Sequence, residues 1–99
     1  MLKIEFVDKS TIALTGRFDA SQVTRADPFF DSLEGHSTID CKGLDYVSSA
    51  GIGVILGTYK RLNDVGFTLK MINVNEHIRQ VFRYAGLDKI INMGQNQPN

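Results

Sequence analysis

The stretch that most constrains the chain runs from Asp40 to Gly57, Asp-Cys-Lys-Gly-Leu-Asp-Tyr-Val-Ser-Ser-Ala-Gly-Ile-Gly-Val-Ile-Leu-Gly. It reads as the end of a short buried strand, a turn, and a helix that starts at the serine pair Ser48–Ser49. Serine is among the best N-cap residues, because its hydroxyl accepts a hydrogen bond from an otherwise orphan N–H of the first turn. The same point is electropositive, since the first-turn amides and the helix dipole both aim at it. A phosphate on or near such a serine is compatible with the helix.

The elements around this stretch follow from periodicity. Leu2, Ile4 and Phe6 alternate with Lys3, Glu5 and Val7, the period of a half-buried strand. Asp8-Lys9-Ser10 is a turn, and Ile12 and Leu14 continue the alternation to Thr15, where Gly16 is expected to end it. The two runs read as an antiparallel hairpin. Val23, Ala26, Phe30 and Leu33 then recur at helical spacing, with Pro28 inside the run. Two arrangements accommodate that proline: Asp27 as N-cap with Pro28 as the first residue of a short helix, or a longer kinked helix from Ser21.

Thr38 to Cys41 is expected to be a short strand, and the central helix to run from about Ala50 to Val65 with Gly66 as its stop. The first half of that helix is apolar nearly all round, which predicts deep burial. Ala50, Gly53 and Gly57 form a small-residue face that allows close approach of a neighbour. Phe67 to Ile72 alternates as a strand, Asn75 is a plausible N-cap, and Ile78, Val81, Phe82 and Ala85 mark an amphipathic helix stopped by Gly86. Ile90 and Ile91 predict a last short strand, and Gly94 to Asn99 is a polar, frayed tail. The order β-β-α-β-α-β-α-β predicts an α/β fold, a mixed β-sheet of four to five strands with helices packed on it. At 99 residues this is one domain, expected over 1–93 with the tail at 94–99.

Tyr46-Val47-Ser48-Ser49-Ala50-Gly51-Ile52-Gly53-Val54-Ile55-Leu56-Gly57 resembles the signature loop and helix of STAS domains, and most closely that of the bacterial anti-sigma factor antagonists. In those proteins a hydrophobic pair is followed by Asp, then Ser, then a small residue and Gly-Leu/Ile-Gly. The resemblance implies the STAS fold, whose element order is the one read above. It also implies a non-enzymatic partner-switching role. The serine after the Asp is phosphorylated there by a partner kinase, and its counterpart here is Ser49. The family's Asp is replaced by Ser48, which removes a carboxylate beside the phosphate and supplies a second hydroxyl, so Ser48 is the alternative acceptor. The segment Ala50, Gly51 and Ile52 falls on the implied partner-binding face, together with Gly16 and Asp19, which resemble the family's Gly-x-x-Asp after the second strand. The implied partners are an anti-sigma factor that is also a serine protein kinase of the GHKL type, and a PP2C-type phosphatase.

Each of these residues also has a plain structural role. Ser48 or Ser49 caps a helix, Gly16 ends a strand, and Asp19 caps a helix. Two other functional classes carry distinct expectations. A STAS adaptor subunit of a transporter or signalling complex acts without phosphorylation. A small-molecule or nucleotide-binding module would use Gly51 to Gly57 as a phosphate loop, but those glycines fall inside the predicted helix, and no acidic residue follows the next strand at Ile72-Asn73-Val74-Asn75.

Composition narrows the rest. Eleven basic residues balance eleven acidic ones, so no basic surplus points to nucleic acid or to a membrane surface. Cys41 is the single cysteine, and it sits in a predicted strand as a small apolar residue. One unpaired cysteine fits a reducing compartment, and the N-terminus lacks a signal-peptide pattern, so the expected location is cytoplasmic. His36 and His77 have no ligand spacing around them, and Gly-x-Ser-x-Gly is absent. The sequence therefore predicts no cofactor, no metal and no catalytic centre.

Overall fold

The structure is a computed structural model and describes residues 1–94. Four strands form one sheet in the order β1-β2-β3-β4: β1 (Leu2–Asp8), β2 (Thr11–Phe18), β3 (Ser37–Val47) and β4 (Leu69–Ile72). β1 and β2 are antiparallel, and β2/β3 and β3/β4 are parallel. The parallel pairs are joined by helices α1 (Val23–Asp31) and α2 (Ser49–Asp64), and α3 (Glu76–Tyr84) follows β4. This is the mixed α/β arrangement that the periodicity predicts, with four strands and three helices among the described residues.

One face of the sheet is apolar and the other is wet. Ile4, Ile12, Leu14, Phe18, Ile39, Leu44, Val47, Leu69 and Met71 are buried, together with Ala26 and Phe30 of α1, Ile55 and Leu62 of α2, and Ile78 and Phe82 of α3. Lys3, Glu5, Thr15, Arg17, Lys42 and Lys70 alternate with them and are exposed. The period of two thus sorts side chains to opposite faces, and the helices cover only one of them.

Four sequence expectations are corrected. β2 does not stop at Gly16 but continues to Phe18. Gly16 has φ +99, and a Cβ there would meet the Met1 carbonyl oxygen at 2.2 Å, so the glycine lets the start of the chain cross close to the strand. β3 is eleven residues long rather than four. Its pairing with β2 slips twice, between Ala13/Thr15 and between Gly16/Arg17, each time because β3 carries one extra residue. The expected strand at Ile90–Ile91 is instead a 3-10 turn over Leu87–Lys89 followed by a single parallel bridge between Lys70 and Asn92. Gly86, at φ +80, swings the chain round so that only Asn92 reaches the β4 edge, where its carbonyl accepts the Met71 N–H at 2.8 Å. Finally, the first half of α2 is less buried than its composition predicts, with Ile52, Val54 and Leu56 half-exposed.

Around Pro28, the longer of the two arrangements is present. A 3-10 turn over Ala20–Gln22 leads into α1 with Pro28 inside it, and Asp27 is not a cap. Asn75 caps α3, its side-chain oxygen accepting the Ile78 N–H at 2.8 Å, while its amide donates to the Leu44 carbonyl at 3.1 Å. Gly66, at φ +88, follows the end of α2. The polar tail expected over 94–99 lies, from residue 95 onward, outside the described residues.

Candidate functional site

The serine turn is built where β3 ends beside the end of β2. Ser48 has an extended backbone, φ −91 and ψ 174, and its hydroxyl oxygen accepts the Gly51 N–H at 3.3 Å. Its own N–H donates to the Phe18 carbonyl at 2.9 Å, and its carbonyl accepts the Ile52 N–H at 2.9 Å. Ser48 is therefore the cap, tied at three points and half-buried. Ser49 is the first residue of α2 and is exposed. Its hydroxyl carries no cap bond, so it stands at the positive end of a sixteen-residue helix that has no acidic residue in its first turn. A negative group placed there meets the positive end of the helix and no opposing carboxylate from the same turn.

Gly51 sets how closely this turn sits on the sheet. A Cβ at Gly51 would lie 2.7 Å from the Phe18 carbonyl oxygen and 3.0 Å from Phe18 Cγ and Val47 Cγ2. Ala50 is half-buried beside it, and Ile52 packs against the core from the same turn. Gly53 and Gly57 differ in kind: both are exposed, and nothing lies within 4 Å of a Cβ on either. On the small-residue face of α2, Gly53 and Gly57 are thus uncovered among the described residues. These glycines lie inside α2 rather than in a loop before it, which removes the geometry of a nucleotide phosphate loop.

Asp19 stands one residue beyond the end of β2. Its carboxylate accepts the Ser21 hydroxyl at 2.6 Å and the Ser21 N–H at 3.1 Å, capping the 3-10 turn. The Ser21 hydroxyl, the Ser21 N–H and the nearby Arg17 charge hold this carboxyl below its ordinary range. Gly16 lies inside β2, against the Met1 carbonyl. Of the expected site residues, Ser48, Ser49, Ala50, Gly51 and Ile52 form one contiguous turn. Asp19 follows Phe18, which bonds that turn, and Gly16 is two residues behind Phe18.

Sequence reasoning missed Arg17 and Tyr46. They are paired across β2 and β3, with the Arg17 guanidinium 4.1 Å above the Tyr46 ring. The missed signal was register: both residues lie beyond the points where the two strands were expected to stop. Cys41 is fully buried in β3, and burial first, then the Asp40 charge, pushes its thiol up to about 12. His36 is a structural residue, its Nδ1 accepting the Thr68 N–H at 3.1 Å. No described helix is long and apolar enough to cross a membrane.

Comparison with known proteins places this geometry. Residues 4–93 match a family described as "Mlab, STAS domain". The chain is 34% identical over 64 residues to an anti-sigma F factor antagonist of Paenibacillus polymyxa, covering 65% of this chain and 55% of that protein. It is 36% identical over 52 residues to an anti-sigma-B factor antagonist of Bacillus subtilis, covering 52% of this chain and 48% of that protein. The matched part therefore spans about half the length of these relatives. In fold, it is similar to an anti-sigma-factor antagonist (STAS) domain protein from Planctomyces limnophilus, with TM-score 0.77 at 13% identity over 97% of this chain and 90% of that one. It is also similar to unphosphorylated SpoIIAA, with TM-score 0.68 at 19% identity over 98% and 90% of the two chains. A sulfate transporter family protein from Wolinella succinogenes shares the fold as well, with TM-score 0.73 at 12% identity over 91% and 76%.

Proposed function

The chain belongs to the STAS domain family, and from that premise we propose that it is a non-enzymatic partner-switching regulator of the anti-sigma factor antagonist kind. The observation that carries this reading is the division of labour in the serine pair. Ser48 holds the helix, and Ser49 is left exposed at its positive end with no structural bond to lose. Unphosphorylated, the protein binds an anti-sigma factor that is also a serine kinase of the GHKL type, through the turn Ser48 to Ile52 with Gly16 and Asp19 beside it. Binding frees that regulator's target.

The switch is then electrostatic. The Ser49 hydroxyl oxygen attacks the γ-phosphorus of ATP; ADP leaves with the electron pair of the broken P–O bond, and the hydroxyl proton passes to a base of the kinase. The product carries about −1.5 to −2 charges and three strong acceptor oxygens. The α2 terminus accommodates that charge on the free protein, whereas a packed partner surface meets repulsion and a desolvation cost. A 100-fold loss of affinity requires only about 3 kcal/mol, within the reach of one phosphate. A PP2C-type phosphatase resets the protein. A cytoplasmic setting, where kinase and ATP are found, follows from the same reading.

The test is capture of partners from the native host with two baits, the bare protein and the protein carrying phosphoserine at position 49. The reading predicts a serine kinase held by the bare bait and lost from the phosphorylated one. A complex held equally by both overturns the switch and supports a constitutive adaptor instead.

A further inference from the structure

Arg17 and Tyr46 face each other on neighbouring strands, with the guanidinium 4.1 Å from the ring centroid. Their neighbours Phe18 and Val47 are buried, so this pair lies on the sheet face away from the helices. Arg17 is exposed, and neither the Lys3–Glu5 nor the Arg83–Asp88 ion pair includes it. Asp19 senses its charge, but the bonds of that carboxylate go to Ser21. Among the described residues adjoining the serine turn, Arg17, Asp19, Asp45 and Tyr46 carry ionisable side chains, and Arg17 is the cationic one; the Met1 α-ammonium, whose charge Asp19 also senses, is a second cation at this end of the sheet. Arg25 is engaged elsewhere, on the Leu2 carbonyl and Gln22.

The serine turn is within reach. The residue after Arg17 is Phe18, whose carbonyl takes the Ser48 N–H at 2.9 Å, and Ser49 follows. Covalent geometry then keeps the α-carbons of Arg17 and Ser49 within roughly 15 Å, a span that an extended arginine and a phosphoserine cover together. A stack made by an exposed guanidinium on a half-buried ring is weak beside a charge-assisted bond from guanidinium to phosphate. We infer that Arg17 is the residue that answers phosphorylation of Ser49, resting on Tyr46 while Ser49 is bare and turning to the phosphate once it is present. The inference rests on the phosphorylation reading above and adds a second consequence to it. The modified protein gains a phosphate partly neutralised by Arg17, and it also uncovers the Tyr46 ring, so two features of the surface change together.

The test needs no kinase. Phosphoserine is installed at position 49 by genetic encoding, and the second ionisation of the phosphate is followed by phosphorus NMR in the otherwise native chain, in Arg17→Ala and in Tyr46→Leu. Arg17 side-chain protons are followed with and without the phosphate, and amide spectra confirm that each variant is folded. The expected ionisation constant is about threefold larger in the native background than in Arg17→Ala. It should be at least as large in Tyr46→Leu, where the cation remains and the ring does not. The Arg17 protons, shifted upfield by the ring in the bare protein, should move back downfield in the phosphoprotein. Equal constants with and without Arg17, a constant in Tyr46→Leu as low as in Arg17→Ala, or Arg17 protons still upfield beside the phosphate would each overturn the inference. Because the phosphate is supplied directly, failure here leaves the kinase reading standing, and absence of a native kinase leaves this result standing.

Discussion

The Phe18 carbonyl oxygen lies 2.7 Å from the point where a side chain on Gly51 would place its Cβ. The same carbonyl receives the Ser48 N–H, so one atom at the end of β2 anchors the serine turn and sets how closely α2 approaches the sheet. The exposed Ser49 is held in position by that contact.

Gly51→Ala is therefore expected to destabilise the fold by about 1–3 kcal/mol, because the added carbon meets backbone that cannot yield. Gly53→Ala, two residues on, meets nothing within 4 Å and should stabilise by about 0.5–1 kcal/mol through helix propensity alone. Urea denaturation of the two variants reads both signs. If the two changes shift the midpoint in the same direction, the close approach at Gly51 is not what places the turn.

The serine pair should also separate by stability. Ser48→Ala removes the bond to the Gly51 N–H and should cost about 1 kcal/mol. Ser49→Ala removes an exposed hydroxyl without a cap bond and should shift stability by less than about 0.5 kcal/mol. The reverse order in thermal melts would assign the cap to the wrong serine.

Much of this is legible in the residues, and the failures have two causes: bulges that reset the strand alternation and long-range contacts that local pattern does not report. α2 was expected over Ala50–Val65 and runs Ser49–Asp64, because its glycine stop and serine start are strong local signals. β3 was cut short because its two extra residues reset the alternation: buried positions fall at Cys41, Leu44 and Val47, a spacing of three that no longer reads as a strand. β2 was cut short because Gly16 marks a close approach of Met1, a long-range contact that local pattern cannot report. With both strand ends missing, the Arg17–Tyr46 pair was invisible. Which serine caps α2 was equally undecidable locally, since the Phe18 carbonyl that fixes Ser48 comes from thirty residues earlier in the chain.

Cys41 supplies a pH prediction. Its thiol is held neutral up to about 12 in the folded chain, against an ordinary value of 9.0. Above pH 9 the unfolded chain loses that proton first, so the folded state binds more protons and stability falls as pH rises, until the folded thiol also ionises near 12. Against Cys41→Ala, the native chain should show the steeper loss of stability across that window, by up to about 1.4 kcal/mol per pH unit. Parallel slopes would show that Cys41 is not buried as described. In the same vein, native protein at pH 8 should resist a thiol reagent and react only on unfolding.

Asn75 joins α3 to β3, the strand that ends at the serine turn. Its side chain caps α3 at Ile78 and donates to the Leu44 carbonyl in β3. Asn75→Ala should cost about 1–3 kcal/mol by losing both bonds, while Asn75→Asp, which keeps the cap and loses the donor, should recover part of that loss. Urea midpoints for the two variants check the order.

Phosphopeptide mapping tests the central claim most directly. The purified protein, Ser49→Ala and Ser48→Ala are incubated with ATP and lysate of the native host, with a known substrate in the same lysate as the positive control. The account predicts phosphate on Ser49 in the native chain and in Ser48→Ala, and none in Ser49→Ala. Phosphate on Ser48, or no phosphate while the control substrate is modified, would contradict it.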